Sequence, residues 1–204
     1  MRIAEIFCSL QGEGRNQGRP TVFIRLAGCN LRCAWCDSPA ARDGDRGVEM
    51  GVDAVLDRIW RMKVRHICIT GGEPLLQIDE VAEACRRLQR MGYSVEIETN
   101  GTVDFRPVQP FASVCMDVKC PSSSQRSDIS LLQHIGERDS VKFVVADEED
   151  LEFAERVITH CPIRGETFIS PVYGADEQGI ARWVLAANLP ARFQIQLHKY
   201  LEMR

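Results

Sequence analysis

The sequence predicts an α/β fold, an incomplete, open (β/α) barrel with mostly parallel strands. Apolar, β-branched runs that are typical of buried strands alternate with stretches whose apolar residues follow helical spacing. Such strand–helix–strand repeats imply a parallel sheet with crossover helices. A complete eight-unit barrel takes about 250 residues, whereas this chain has 204 and spends residues 100–112 and 119–139 on irregular segments. An open barrel therefore fits the length better than a closed one.

Seven strands are predicted, each a short run rich in β-branched and aromatic residues. In chain order they cover residues 21–28, 66–71, 93–99, 113–118, 140–145, 167–172 and 192–197. Four helices are predicted between them, at residues 52–62, 79–92, 147–160 and 177–189. The second helix opens on Asp79 as its N-cap and closes on Gly92, since Asp favours the cap and Gly favours the position after a helix.

The composition predicts one domain, residues 1–204, because 45% hydrophobic residues suffice for a full core. The formal net charge of −4 argues against a protein whose main task is to bind nucleic acid, since phosphate binding needs a dense Lys and Arg surface. The sequence has neither a signal peptide nor an apolar run of about 20 residues. We therefore expect a cytoplasmic protein with no nucleic-acid or membrane partner.

Three of the nine cysteines, Cys29, Cys33 and Cys36, lie within eight positions in the segment GCNLRCAWCDS. Thiols in a reducing compartment rarely form disulfides, so a cluster of them indicates metal binding or catalysis. Thiolates hold iron–sulfur cubanes, and three thiolates leave one iron open to a cofactor or substrate. The alternatives are a structural zinc site completed by a histidine, or three unconnected buried thiols. Zinc sites more often use paired CxxC units, and no histidine is near in the sequence.

Polar motifs follow the predicted strands at the ends where parallel α/β folds place their working face. Within TGGEP, two glycines let backbone groups approach a ligand closely, and Glu73 supports either the ligand's amine or the turn itself. The motifs therefore predict one site built from several strands. They are GCNLRCAWCDS (28–38), TGGEP (70–74), ETNG (98–101), DVK (117–119), SPVYG (170–174) and QLHK (196–199).

The C-x3-C-x2-C spacing, with Trp35 before the last cysteine, resembles the radical S-adenosylmethionine (SAM) enzymes. In that superfamily three thiolates hold a [4Fe-4S] cluster, and its fourth iron binds SAM and splits it to a 5′-deoxyadenosyl radical. TGGEP resembles the superfamily's methionine-binding motif. Together with SLQGEG (9–14), CDS (36–38), ETNG and QLHKYL (196–201), these motifs resemble the 7-carboxy-7-deazaguanine synthase family from residue 5 to the end of the chain.

This resemblance implies a radical SAM carbon–nitrogen lyase. Its reaction would be the conversion of 6-carboxy-5,6,7,8-tetrahydropterin to 7-carboxy-7-deazaguanine with loss of ammonia, in queuosine and 7-deazapurine biosynthesis. The resemblance also implies Mg²⁺ as a cofactor, a homodimer, and flavodoxin or ferredoxin as electron donor. Two other hypotheses stay open: a small glycyl-radical-enzyme activase of the same superfamily, and a non-enzymatic zinc or iron–sulfur binding module.

The resemblance also assigns roles to residues. Arg25, an arginine inside an apolar strand, is suited to bind the substrate carboxylate in bidentate fashion. His198 is expected to assist a proton step, for which imidazole is suited near neutral pH, and Glu13 is the second catalytic candidate. The implied sites are Leu10, Gln11, Gly12, Arg25, Thr70 and Arg204 for the substrate; Trp35, Asp37, Gly72, Glu73, Asp117, Val118, Lys119, Ser170 and Pro171 for SAM; Cys29, Cys33 and Cys36 for the cluster; and Ser38 for Mg²⁺.

Overall fold

The computed structural model describes residues 1–203, so Arg204, which the resemblance places at the substrate, lies outside the described residues. Nine strands form one sheet, and five α-helices accompany it within that range. The strands are β1 (Arg2–Leu10), β2 (Pro20–Leu26), β3 (Val48–Glu49), β4 (His66–Gly71), β5 (Ser94–Thr99), β6 (Ser113–Val118), β7 (Ser140–Val145), β8 (Glu166–Pro171) and β9 (Arg192–Phe193). The helices are α1 (Val52–Trp60), α2 (Ile78–Arg90), α3 (Glu148–His160), α4 (Glu177–Ala187) and α5 (Leu197–Tyr200).

The sheet has the order β3-β1-β2-β4-β5-β6-β7-β8-β9 and, over the described residues, does not close on itself. β1 runs antiparallel to β2 and β3, and every neighbouring pair from β2 to β9 is parallel. This architecture confirms the predicted open, mostly parallel barrel. No helix of residues 1–203 combines the length and apolar content that crossing a membrane requires.

Side chains alternate between two faces along each strand, because successive residues of a strand point in opposite directions. On β5, Val95 and Ile97 belong to the buried hydrophobic cluster under the helices, whereas the side chain of Glu96 lies on the opposite, inner face. On β7, Val141 and Phe143 pack in the same cluster, while the intervening Lys142 points inward. The inner face of the barrel therefore carries buried charged groups.

Two strands and two boundaries differ from the sequence-based expectation. β1 and β3 were not predicted, and the strand expected at residues 192–197 forms a ladder only at Arg192–Phe193. Beyond Phe193, the side chain of Gln194 bonds to the backbone of Gly14, and the chain turns into α5. The expected N-cap Asp79 is also wrong: the tight turn Pro74–Gln77 leads directly into α2, so Gln77 is the cap. Asp79 instead lies in the first turn, where a carboxylate favours the helix dipole.

Candidate active site

A cavity of about 710 Å³ lies at the carboxyl ends of the parallel strands. It collects most of the residues that the sequence suggested, from the cysteine loop, the β1–β2 loop and α5. Those lining it are Leu10, Gln11, Gly12, Glu13, Arg25, Cys29, Cys33, Trp35, Cys36, Asp37, Ser38, Thr70, Gly72, Asp117, Lys119 and His198. Glu73, Val118, Ser170 and Pro171 are not among its lining residues.

The three thiols of the cysteine loop are free, half-buried and turned to this cavity. Asn100, just after β5, supports the loop through its Nδ2, which lies 3.9 Å from Cys29 Sγ and 3.0 Å from Asn30 Oδ1. Burial raises the pKa of the Cys33 thiol, and the nearby Lys119 ammonium opposes that rise. A ligand that stabilises thiolates would therefore bind in a site that is partly shielded from water and has the Lys119 ammonium beside it.

The three thiols of the cysteine loop are of the donor type that iron–sulfur clusters use. Within residues 1–203 no three His, Cys, Asp or Glu side chains are grouped as the ligands of one metal ion. Thiolates that hold a cubane bind separate iron atoms, and the three free thiols of this loop are the donors that an iron–sulfur cubane with an open corner uses.

The TGGEP turn packs against the backbone that precedes the cysteine loop. A Cβ on Gly72 would lie 2.1 Å from the carbonyl oxygen of Gly28, so only glycine fits. The Glu73 carboxylate is buried and accepts hydrogen bonds from Leu75 N, Thr99 Oγ1 and Asn100 N at 3.0, 2.8 and 2.7 Å. Burial raises its pKa, although these hydrogen bonds oppose the rise. Of the two roles expected for Glu73, this geometry supports the turn.

Arg25 and Ser38 lie together on one side of the cavity, in contact with the carboxylates of Glu5 and Asp37. The Arg25 guanidinium donates from Nε to Glu5 Oε1 at 2.9 Å and from a terminal nitrogen to Ser38 Oγ at 2.7 Å. Ser38 Oγ in turn donates to Asp37 Oδ1 at 3.1 Å. Burial raises the pKa of Asp37, but the nearby cations, Lys142 first among them, outweigh it and the net shift is downward. The carboxylate of Asp37 thus stays ionised beside the hydroxyl.

Lys142 is a site residue that the sequence reading missed. Its side chain is 7% exposed, and its Nζ lies 2.7 Å from Glu13 Oε2 and 3.7 Å from Asp117 Oδ2. Burial lowers its pKa, yet the carboxylates of Glu13 and Asp117 raise it well above the usual value. Asp117 Oδ2 also accepts from Lys119 at 2.9 Å, whereas its buried Oδ1 has no hydrogen-bond partner in the described chain. A lysine inside the apolar run SVKFVV was the available signal.

Two carboxylates of β5 hold the side chain of Gln11. Gln11 Nε2 donates to Glu96 Oε2 at 3.1 Å and to Glu98 Oε1 at 3.0 Å, and Thr70 Oγ1 donates to Glu98 Oε2 at 3.1 Å. Both N–H bonds of the Gln11 amide are therefore used within the protein, and Glu98 is the carboxylate that lines the cavity. Burial, together with the Glu98 charge, raises the pKa of Glu96 to about 7.

α5 brings His198 to the cavity against Gly12. Leu197 N donates to Gly12 O at 3.0 Å, and a Cβ on Gly12 would lie 2.1 Å from His198 Nδ1. His198 Nε2 lies 3.8 Å from Asp37 Oδ2. The imidazole is thus held between the β1–β2 loop and the segment of Asp37 and Ser38.

Comparison with known proteins identifies the family. Residues 23–117 match the model of the radical SAM superfamily. A curated 7-carboxy-7-deazaguanine synthase from Methanospirillum hungatei JF-1 is 56% identical over 201 residues, which is 98% of this chain and 85% of that protein. One from Koribacter versatilis Ellin345 is 35% identical over 220 residues, 98% of this chain and 96% of that protein. The crystal structure of QueE from Escherichia coli has a TM-score of 0.78 and 28% identity over 97% of this chain and 94% of that chain. The chain therefore belongs to the 7-carboxy-7-deazaguanine synthase family of radical SAM enzymes.

Proposed function

We propose that this chain is a 7-carboxy-7-deazaguanine synthase that converts 6-carboxy-5,6,7,8-tetrahydropterin to 7-carboxy-7-deazaguanine with loss of ammonia. The observation that carries the proposal is the 56% identity, over 98% of the chain, to a curated protein of that name. The gathering of three thiols, an arginine and buried carboxylates around one cavity supports it.

The cofactor end of the cavity is proposed to be the cysteine loop. Cys29, Cys33 and Cys36 would hold the [4Fe-4S] cluster, with SAM between Trp35, Gly72 and the Asp117 region. The cluster and SAM, when bound, supply one-electron cleavage of SAM and abstraction of a hydrogen atom from the substrate. The unpartnered Oδ1 of Asp117 and the close backbone approach at Gly72 are features that suit a polar ligand here.

The substrate end is proposed to be the part of the cavity lined by Arg25, Ser38 and Glu98. Arg25 retains N–H donors beyond those used by Glu5 and Ser38, and these would bind the substrate carboxylate. Ser38 has a second lone pair for Mg²⁺, a hard ion that takes few protein oxygens and several waters. Glu98, fixed by Gln11 and Thr70, would accept the N–H groups of the pterin ring.

His198 is proposed to transfer a proton, and Glu13 to orient the substrate. His198, held against Gly12 and 3.8 Å from Asp37, is placed to exchange a proton with the substrate. Glu13, whose Oε2 accepts a hydrogen bond from Lys142 Nζ at 2.7 Å, would orient the ring. By resemblance alone, we further propose that the enzyme forms a homodimer in the cytoplasm, takes electrons from flavodoxin or ferredoxin, and feeds queuosine or another 7-deazapurine.

The test is turnover by the anaerobically reconstituted protein. Incubation with the carboxypterin, SAM and dithionite is expected to give 7-carboxy-7-deazaguanine, detected by its mass, and to give less of it when Mg²⁺ is removed by chelation. A protein that cleaves SAM but forms no deazaguanine, and instead activates a glycyl-radical enzyme, would contradict the proposal.

A further inference from the structure

Two hydrogen bonds join the cysteine loop to the turn Pro121–Ser123. Ala34 N donates to Ser123 O at 3.0 Å, and Trp35 Nε1 donates to Ser122 Oγ at 3.0 Å. Residues 33–36 have no strand or helix of their own, so they depend on such contacts. The position of Cys33 and Cys36 is therefore tied to the turn.

A buried carboxylate fixes that turn. Asp150, in the first turn of α3, has 0% of its surface exposed. Its Oδ1 accepts from Ser122 N at 2.9 Å, and its Oδ2 accepts from Ser122 Oγ at 2.5 Å and from Ala146 N at 2.8 Å. A carboxylate can only accept hydrogen bonds, so the Ser122 hydroxyl donates its hydrogen bond to Asp150. A lone pair of the same oxygen then accepts the hydrogen bond from the indole N–H. The bonds run in one direction, from Trp35 through Ser122 to Asp150.

The indole held in this way borders the cavity. Trp35 lines it next to Cys36, and Lys119 Nζ lies 5.3 Å from the centre of the Trp35 ring. The same ammonium bonds to Asp117 at 2.9 Å. A change in the tilt of the indole would therefore move both the lysine and the last thiol.

We infer that Asp150 and Ser122 are positioning residues for the cofactor end of the cavity, which they shape by fixing the Trp35 indole and the loop segment of Cys33 and Cys36. Neither residue lines the cavity, and both act through Trp35. The inference rests on the proposed function, in which these thiols hold the cluster and Trp35 borders SAM.

The first test is Ser122→Ala, which removes the acceptor of the indole N–H while Asp150 keeps two backbone donors. We expect iron and sulfide contents equal to wild type, but a dissociation constant for SAM raised about 3- to 10-fold, the loss of one hydrogen bond. In the apoprotein, hydrogen–deuterium exchange should accelerate in peptides covering residues 29–37. The matched control is Ser124→Ala, which removes an exposed hydroxyl from the same region and should change neither quantity.

The second test is a double-mutant cycle with Trp35→Phe, which removes the N–H from the other end of the bond. Ser122→Ala should then have almost no further effect on SAM affinity, because the bond is already absent. Wild-type SAM affinity and exchange in Ser122→Ala, or an additive effect in the double variant, would overturn the inference. If the wild-type protein assembles no cluster and binds no SAM, the proposed function fails instead, and exchange in the apoprotein still decides whether Ser122 anchors the loop.

Discussion

The proposed cluster site predicts that cofactor assembly depends on the three thiols of the cysteine loop. Replacing Cys33 by Ala leaves two thiolates, and we expect the reconstituted variant to lose most of its iron and sulfide and all measurable turnover. Iron and sulfide analysis with the absorption spectrum measures this. Cys8→Ala is the control, because Cys8 is exposed on β1 and is not a lining residue of the cavity. A Cys33→Ala protein with a wild-type iron content would contradict the cluster assignment.

Arg25 is the residue proposed to bind the carboxylate of the substrate. Arg25→Lys keeps the charge but loses the planar fork that bonds a carboxylate through two N–H groups. We expect KM for the carboxypterin to rise about 10- to 100-fold, the range for one hydrogen bond to a charged group, with SAM affinity unchanged. Glu5→Gln is the control, since it weakens the ion pair at 2.9 Å without altering the guanidinium. Equal KM values for Arg25→Lys and wild type would show that Arg25 does not bind the substrate carboxylate.

At the scale of elements, the neighbouring strands β4 and β5 each bury a titratable side chain, His66 and Glu96, and the pKa values of the two are shifted in opposite directions. Glu96 has a pKa of about 7, whereas burial lowers the pKa of His66 to about 4. Between pH 4.5 and 7 the folded chain holds a proton on Glu96 that the unfolded chain has released, so ionisation of this group costs stability as the pH rises through that window. His66 has the opposite effect between pH 4 and 6.5. In that window the unfolded chain binds a proton on this histidine that the folded chain does not, so the unfolding free energy increases as the pH rises.

The prediction is that Glu96→Gln removes the first of these effects. Relative to wild type, the unfolding free energy of the variant should increase from pH 4.5 to 7 and level off above, by a total of the order of 3 kcal/mol. Denaturant titrations at several pH values measure it, with the exposed Glu152→Gln as the control for a change of charge. A difference between variant and wild type that is constant across this window would show that Glu96 titrates normally.

Element positions were largely readable from the sequence. The predicted strands from β2 to β8 and the helices α1 to α4 agree with the structure within two residues at each end, because buried parallel strands are continuous apolar runs. β1 was missed because polar residues such as Glu5 interrupt its apolar positions in an antiparallel strand with an exposed side. Glu96 and Lys142, two charged residues inside apolar runs, were a signal for the inner face that the sequence analysis did not use. Which carboxylate contacts which cation depends on strand register, which no local sequence pattern gives.

At the scale of the whole molecule, the gap of the open sheet is bridged by glutamines. Gln17 Nε2 donates to Gly12 O and Ile195 O at 2.9 and 2.7 Å, and Gln194 bonds to both the N–H and the carbonyl of Gly14. Gln196 Nε2 reaches Glu13 Oε1 at 3.1 Å. The bonds from Gln17 to Ile195 and from Gln194 to Gly14 join side chains to backbone across more than 170 residues of sequence. No local sequence pattern indicates such distant contacts, and the sequence predicted a strand at 192–197 instead.

Because these glutamines join the β1–β2 loop to the C-terminal segment, we expect residues 11–17 and residues 194–203 to become mobile together when the bonds are removed. Gln194→Ala leaves the buried N–H of Gly14 without its partner and leaves the Gly14 carbonyl with only the backbone N–H of Gln17. We therefore expect a loss of about 1–3 kcal/mol of stability, faster hydrogen exchange in both residues 11–17 and 194–203, and a higher KM for the carboxypterin. The control is Gln89→Ala, which removes one exposed glutamine-to-carbonyl bond, to Pro110, far from the cavity. If exchange rises only in residues 194–203 and the β1–β2 loop stays protected, the loop is ordered without the C-terminal segment. The cavity wall that carries Gln11 and Glu13 would then be independent of how the barrel closes.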